Sequence, residues 1–312
     1  MNRALVTGGA GFIGHHLCAA LARAGARVYA LDNLSTGRRE LLAGLPESVE
    51  LVQLDVREHD ELVRLLRCTE PDIIFHLAGL HFIPDCNRDP LAALQINTVG
   101  TASLLEAMRM QRFVARLVFT STGAVYAPDT VICREDDLPA PDDVYGETKL
   151  FAETIIRRFA RVADLRCIVL RLFNVYGPGE TNPHVMPEIL EQARLGDTIR
   201  LGNLTPRRDY IYIDDVVEAL LRAAGVNGPE HVVLNIGTGR DYSVADVVAT
   251  LARIIQRPLR AESDPTRTRR TDRARLCADP SRAATVLGWR AGHSLEAGLT
   301  ETWKTLETQT SA

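Results

Sequence analysis

This sequence predicts an α/β fold, a doubly wound parallel sheet with a smaller C-terminal domain interleaved with it, and three observations carry that prediction. Short runs of four to seven residues, apolar nearly throughout, recur along the first half of the chain, as strands covered on both faces do. Amphipathic stretches of helical spacing stand between them, and strand–helix alternation at this pitch builds a parallel sheet. After about Phe173 the order loosens into a connector rich in Gly, Pro and Asn, "NVYGPGETNP", followed by further helices.

Taken in order, "ALVTG" is the first strand and "GHHLCAALARAG" its helix. "RVYALD" is the second strand, "VELVQLD" the third and "DIIFHLA" the fourth. "LLEAMRMQ" has helical spacing ahead of "ARLVFTS", the fifth strand, and "CIVLRLF" is the sixth. Helices are expected at about 185–195, 214–224, 243–256 and 294–308, with "VVLNIG" a strand that returns to the main sheet. This assigns residues 1–174 plus about 209–240 to the sheet domain and about 175–208 plus 241–312 to the smaller one.

Composition removes several classes of function. A chain of 312 residues, 46% hydrophobic and 24% charged, can bury a full core as one large or two joined domains. A net charge of −4 leaves no footprint for nucleic acid, and the arginine-rich run "TRTRRTDRAR" is local. The six cysteines, at 18, 68, 86, 133, 167 and 277, contain no C-x-x-C pair, which suits reduced thiols better than a disulfide frame or a zinc site. No metal is expected. No apolar run is long enough to span a membrane, and the N-terminus enters a strand at once, so the expected location is the cytoplasm.

The first chemical motif is "TGGAGFIG", where Gly8, Gly11 and Gly14 lie between the first strand and its helix. Glycine there lets the backbone approach a pyrophosphate, and the helix N-terminus offers N–H groups and the positive end of its dipole. Strand two ends at Asp32, whose carboxylate can accept both adenosine ribose hydroxyls and repels a 2′-phosphate. NAD is therefore expected over NADP, a preference that Arg38 and Arg39 weaken without reversing.

The second motif is Tyr145 with Lys149, an i,i+4 pair on one helix face. Only two lysines occur among 36 basic side chains, Lys149 and Lys304, so Lys149 stands where arginine was not accepted. A compact ammonium, helped by the positive nicotinamide of NAD⁺, lowers the proton affinity of a neighbouring phenol, and it donates to ribose hydroxyls where a guanidinium fork would crowd. A tyrosine that exchanges protons near neutrality needs its pKa lowered by about three units, roughly 4 kcal/mol of preference for the phenolate. The third group is "FTSTGAVY". Thr122 at the end of the fifth strand can hydrogen-bond the substrate oxygen that Tyr145 protonates, with Ser121 the adjacent alternative, since strand alternation turns only one of them to the crevice.

These motifs, with "LDNLSTGRRE", "LDVR", "HLAGLH", "INTVGT", "YGETK", "RLFNVYGPG", "RRDYIYIDDV" and "NIGTG", resemble the extended short-chain dehydrogenases/reductases that act on nucleotide sugars, and among them the 4-epimerases. The resemblance runs nearly end to end and implies a Rossmann-type fold. It implies that Phe12 and Ile13 of the glycine loop, Asn33, Asp55, Val56, Ala78, Gly79 and Asn97 border the cofactor. It also implies that Asn174, His184 and Val185 contact the sugar nucleotide, and that Arg208 and Arg269 hold its diphosphate. The activity implied is redox-neutral epimerisation of a UDP-linked hexose, N-acetylhexosamine or uronic acid by a homodimer joined through a four-helix contact. That contact would use the Tyr145 helix and the one around "LLEAMRMQ". A 4,6-dehydratase or 4-ketoreductase of the same family is the alternative, and a non-catalytic NAD-binding member a third. Dehydratases of this kind have an Asp-Glu pair where this chain has Gly123 and Ala124, and its replacement would be another carboxylate or Cys reaching the sugar from the "GPGETNPH" loop, with Glu180 the obvious candidate. His81 stands where the epimerases commonly have lysine, and Leu276 where bulky sugar substituents are gated.

Overall fold

The computed structural model describes residues 2–111, 116–163, 165–226, 231–267 and 273–310. Seven strands form the main sheet: β1 (Arg3–Thr7), β2 (Arg27–Asp32), β3 (Val49–Gln53), β4 (Ile73–His76), β5 (Arg116–Thr122), β6 (Cys167–Leu172) and β7 (His231–Ile236). Their order across the sheet is β7-β6-β5-β4-β1-β2-β3, and the pairings β1–β2, β2–β3, β1–β4 and β4–β5 are all parallel. The chain runs outward from β1 to β3, then crosses back to β4. In such an order the C-terminal ends of β1 and β4 flank the switch point where a crevice opens. β7 does join this sheet, beside β6, as expected for "VVLNIG".

The helices that matter here are α1 (Phe12–Arg23), α2 (His59–Thr69), α3 (Gly100–Arg109) and α4 (Val144–Ala163). Leu62 and Leu66 of α2, Leu104, Leu105 and Met108 of α3, and Ala152, Ile156 and Ala160 of α4 bury against Leu5, Leu31, Ile74, Leu117, Phe119 and Val169 of the strands. Each such Leu or Ile side chain stabilises the fold by about 1.5–3 kcal/mol. A π-helical turn, Gln95–Val99, leads into α3. Turns of this type occur mostly as single insertions in helices and often at functional sites.

The chain divides into two compact units, Met1–Ala127, Leu138–Arg171 and Val217–Leu234 forming one, and Pro128–Asp137, Leu172–Val216 and Asn235–Ala312 the other. The boundary falls after Arg171 and not after Asn174, and residues 128–137, 209–216 and 235–240 belong to the second unit. The reason is pairing. Tyr210–Tyr212 lies parallel to Asn174–Tyr176, and Ile132–Cys133 pairs with Arg275–Ala278. Asn235 donates to the Cys133 carbonyl, while Thr238 and Gly239 bond Asp209. Helices of the second unit include Val185–Leu195, Val244–Ile254, Ser281–Leu287 and Leu295–Thr310.

Candidate active site

The cradle begins where β1 ends. Gly8 has φ +71°, in the left-handed region that suits glycine, and a Cβ at Gly14 would stand 2.0 Å from the Gly8 carbonyl oxygen. Loop and helix therefore touch backbone to backbone. Gly11 is the N-cap of α1 and no side chain caps the helix, so the amide end at Phe12 and Ile13 is left for another acceptor.

At the end of β2 the buried Asp32 accepts from Ala10 N through Oδ2 (3.0 Å) and from Leu34 N through Oδ1 (2.8 Å). Each oxygen keeps a lone pair for a further donor. Asn33 donates to Asp55 (2.8 Å), and Arg57 binds the same carboxylate through Nε and Nη2 (2.9 and 2.8 Å). The Arg57 bond is the main cause that holds Asp55 down at about 2. Val56 is buried against Gly100, and Asp55, Arg57, Glu58, Gln95 and Val99 line a surface depression. Arg39 is engaged with Gln53 (3.1 Å).

After β4 the loop carrying Ala78 and Gly79 is held by the fully buried Asn97, whose Oδ1 accepts from Leu80 N (2.7 Å) and whose Nδ2 donates to Leu80 O (2.8 Å). A Cβ on Gly79 would lie 3.0 Å from Asn97 Oδ1 and 4.0 Å from Lys149 Nζ. Uncapped amides, an acidic acceptor at the second strand and close backbone approach together fit a dinucleotide: Gly8–Gly14 at the diphosphate, Asp32 at the adenosine ribose. His81 is exposed. Among the described residues no cluster of His, Cys, Asp and Glu could hold a metal ion.

Tyr145 sits in the first turn of α4, which Asp143 starts by accepting from Gly146 N (2.8 Å). A Cβ on Gly146 would meet Ala124 O at 2.6 Å, so glycine lets this turn close on the segment after β5. The phenol of Tyr145 and the hydroxyl of Thr122 share a hydrogen bond. Ser121 points the other way, buried, and donates to Glu153. Strand alternation selects Thr122, and Ser121 is not the residue beside the phenol.

Lys149 follows one turn later on a stripe that also buries Ala152, Glu153, Ile156 and Ala160. Its ammonium lies 4.1 Å from the centroid of the Phe119 ring. Burial pulls the ammonium from 10.5 down to about 7, opposed by the charge of Glu153. Tyr145 departs from expectation. Burial pushes its phenol well above the ordinary range, with the Thr122 bond acting against it and no lowering from Lys149. Desolvation is the largest cause at the phenol, and the ammonium one turn away is itself destabilised by burial. Beneath the pair, Arg171 binds Glu153 through Nε and Nη2 (3.0 and 2.7 Å) and lies 4.8 Å from the Tyr126 ring centroid. This Ser121–Glu153–Arg171 cluster was not anticipated, although a glutamate on an apolar stripe one turn past Lys149 was a visible signal.

In the second unit, Asn174 opens a short strand and donates its N–H to Asp209 O (3.0 Å). His184 is the N-cap of the helix beginning at Val185, and its Nδ1 bonds the buried carboxyl of Glu180. Burial raises the Glu180 carboxyl, opposed by His184. Arg208 donates to the carbonyls of Arg207 (2.9 Å) and Arg273 (2.7 Å) on a strand paired with Leu276. Asp209 gathers Thr238 N (2.8 Å), Gly239 N (2.9 Å) and Ala278 N (3.2 Å), an anchor that sequence reasoning missed. Arg269 lies outside the described residues.

Residues 4–237 match the family model "NAD dependent epimerase/dehydratase family". The chain is 35% identical to a UDP-glucose 4-epimerase of Mycolicibacterium smegmatis over 309 residues, 96% of this chain and 97% of that one. A UDP-glucose 4-epimerase from Thermotoga maritima, solved with UDP-glucose, superposes with a TM-score of 0.89 at 31% identity, covering 99% of both chains. A UDP-glucuronic acid 4-epimerase from Bacillus cereus, solved with UDP-glucuronic acid and NAD, gives 0.88 at 26% identity, covering 98% of this chain and 99% of that one.

Proposed function

The chain belongs to the NAD-dependent epimerase/dehydratase family, and from that premise we propose that it is a nucleotide-sugar 4-epimerase working on a UDP-linked hexose or hexuronic acid. The observation that carries this reading is the Thr122–Tyr145 hydrogen bond with Lys149 on the same helix face, next to a cradle fitted for NAD.

Tyr145 takes the proton from the sugar 4-hydroxyl as that carbon is oxidised, and returns it when the opposite epimer forms. Thr122 orients the same oxygen and favours the phenolate. Held by the Gly8–Gly14 loop and Asp32, NAD would supply the hydride acceptor for C4 and the hydride for the return step, so no external reductant would be consumed. The 4-keto sugar turns about its phosphate linkage between the two transfers. Lys149 holds the ribose side and supplies positive charge beside the phenol, which burial otherwise keeps protonated. Asn174, His184, Val185, Arg208 and Arg269 are assigned to the sugar nucleotide.

Elimination chemistry lacks a catalyst beside Thr122, because Gly123 and Ala124 cannot move a proton. Glu180, the obvious candidate to replace the pair, is engaged with His184. The test is to supply UDP-glucose and UDP-glucuronic acid without added cofactor and follow the 4-epimers by NMR. Interconversion supports the reading, and a protein that carries NAD but leaves both sugars unchanged refutes it.

A homodimer is part of this proposal, with a correction to its surface. Leu104, Leu105 and Met108 of "LLEAMRMQ" are spent on the core, whereas Leu91, Leu94, Val99 and Phe151 are exposed. The contact is therefore assigned to residues 90–99 and α4. The cytoplasm is the proposed location: all six cysteines are free thiols, and no described helix is long and apolar enough to cross a membrane.

A further inference from the structure

β1, β4 and α3 meet beneath the crevice at one imidazole. His76 ends the apolar strand "IIFH" and is completely buried. Its Nδ1 lies 2.7 Å from Thr7 Oγ1 and its Nε2 2.9 Å from Thr101 Oγ1. The other contacts of those hydroxyls decide where the protons are. Thr101 gives its proton to the Asn97 carbonyl (2.7 Å) and has only a lone pair for His76, so Nε2 carries the hydrogen. Nδ1 then accepts from Thr7, whose oxygen takes the Ala78 N–H at 3.1 Å. Every group is satisfied in one direction only: Ala78 N–H to Thr7, Thr7 to His76, His76 to Thr101, Thr101 to Asn97. Burial, with Lys149 adding to it, pulls this histidine down to about 3, so the imidazole stays neutral.

Both ends of this chain lead to the catalytic apparatus. Ala78 precedes Gly79 in the loop that Asn97 clamps through Leu80. Asn97 also donates to Thr148 Oγ1 (2.9 Å), Thr148 donates to the Tyr145 carbonyl (2.8 Å), and Thr98 donates to the Thr148 carbonyl (3.0 Å). The π-helical turn Gln95–Val99 is therefore the shared support of the cofactor loop and of the turn that carries Tyr145. His76 holds that turn from below.

We propose that His76, locked as the neutral Nε2–H tautomer between Thr7 and Thr101, is a positioning residue that sets the cofactor loop and the first turn of α4 in register. The inference rests on the proposed NAD-dependent function, and two of its readouts do not depend on turnover. The first is the ¹⁵N NMR spectrum of His76 in the cofactor-free protein. A protonated Nε2 and a bare Nδ1, unchanged down to about pH 5, are expected, against the ordinary histidine midpoint near 6.5. An Nδ1–H tautomer, or a protonated ring above that pH, overturns the proposal.

The second is NAD affinity, measured by titration of cofactor-free protein, for Thr101→Val and Thr101→Ser. Valine matches threonine in volume but leaves the buried Nε2–H without an acceptor, so the loop shifts and NAD affinity falls about tenfold or more. Serine restores the acceptor and recovers most of it. In the same pair, kcat falls about tenfold in the valine variant with KM for the UDP-sugar within about twofold, and serine rescues kcat. Wild-type NAD affinity in Thr101→Val, or a defect that serine does not repair, overturns the positioning role. Should no UDP-sugar be turned over, the epimerase reading fails while the tautomer and the affinities still decide this proposal. Should Thr101→Val not fold, the spectrum of the unmodified protein decides it alone.

Discussion

Replacing Lys149 by methionine removes activity and makes the cofactor-free protein more resistant to unfolding at neutral and acid pH, with an advantage that depends on pH. The ammonium is nearly buried, faces the Phe119 ring, and is pulled from 10.5 to about 7 by desolvation that Glu153 only partly offsets. Between those two pH values the unfolded chain holds one proton more than the native chain, so native stability rises with pH at about 1.4 kcal/mol per pH unit. The cost of the buried charge is fully present below pH 7 and is relieved as pH rises toward 10.5. The whole span amounts to roughly 5 kcal/mol. Methionine has similar length and no proton to lose, so its stability lacks this slope. Urea unfolding of parent and Lys149→Met at about pH 6.5 and about pH 9.5 measures the gap between them, which the structure expects to shift by roughly 3 kcal/mol in favour of the parent as pH rises. A gap independent of pH would show that Lys149 keeps its proton throughout, and that burial does not act on it as described.

Three further outcomes are expected. Tyr145→Phe keeps its fold and its NAD while turnover falls at least about 10²-fold, and near-normal kcat in that variant would remove Tyr145 from the chemistry. Thr122→Val loses the hydrogen bond that opposes burial at Tyr145, so the phenol ionises at higher pH and the rising limb of the pH–rate profile moves up by about one unit; an unmoved limb contradicts the pairing. Phe151→Glu puts a charge on the exposed face of α4 and converts the proposed dimer to monomer in sedimentation, whereas a wild-type protein already monomeric at micromolar concentration ends that part of the account.

The parallel sheet was legible because its strands are apolar on both faces. "RVYALD" marks β2 from Arg27 to Asp32, and the helix at Val185–Leu195 stands where its periodicity put it. Two-residue strands such as Arg207–Arg208 and Tyr242–Ser243 carry no periodicity at all. The place of Arg207–Arg208 comes from partners distant in sequence, such as Asp241, which pairs with both Arg207 and Arg275. The Tyr145–Lys149 spacing and the Ser121/Thr122 alternation were readable as patterns. Which hydroxyl reaches the phenol was not, since phase depends on how β5 sits against α4. The lowering expected at Tyr145 draws on the positive nicotinamide as well as the ammonium, and in the chain alone burial acts the other way. Spacing shows that an ammonium is near, but only burial shows that desolvation is the larger effect. His76 lies in the core at the end of an apolar strand, yet the proton directions around it come from Thr7, Ala78, Asn97 and Thr101, residues distant from it or outside its strand.

The central claim, that oxidation at C4 is followed by return of the same hydride, is tested most directly by turnover of UDP-sugar in D₂O without added reductant, with the product analysed by mass spectrometry and NMR. The account predicts a 4-epimer of unchanged mass with no deuterium on carbon, because the hydride leaves and returns without meeting solvent. Loss of water, or deuterium at C5, would show that a proton is removed from carbon and that the chemistry beside Thr122 is elimination.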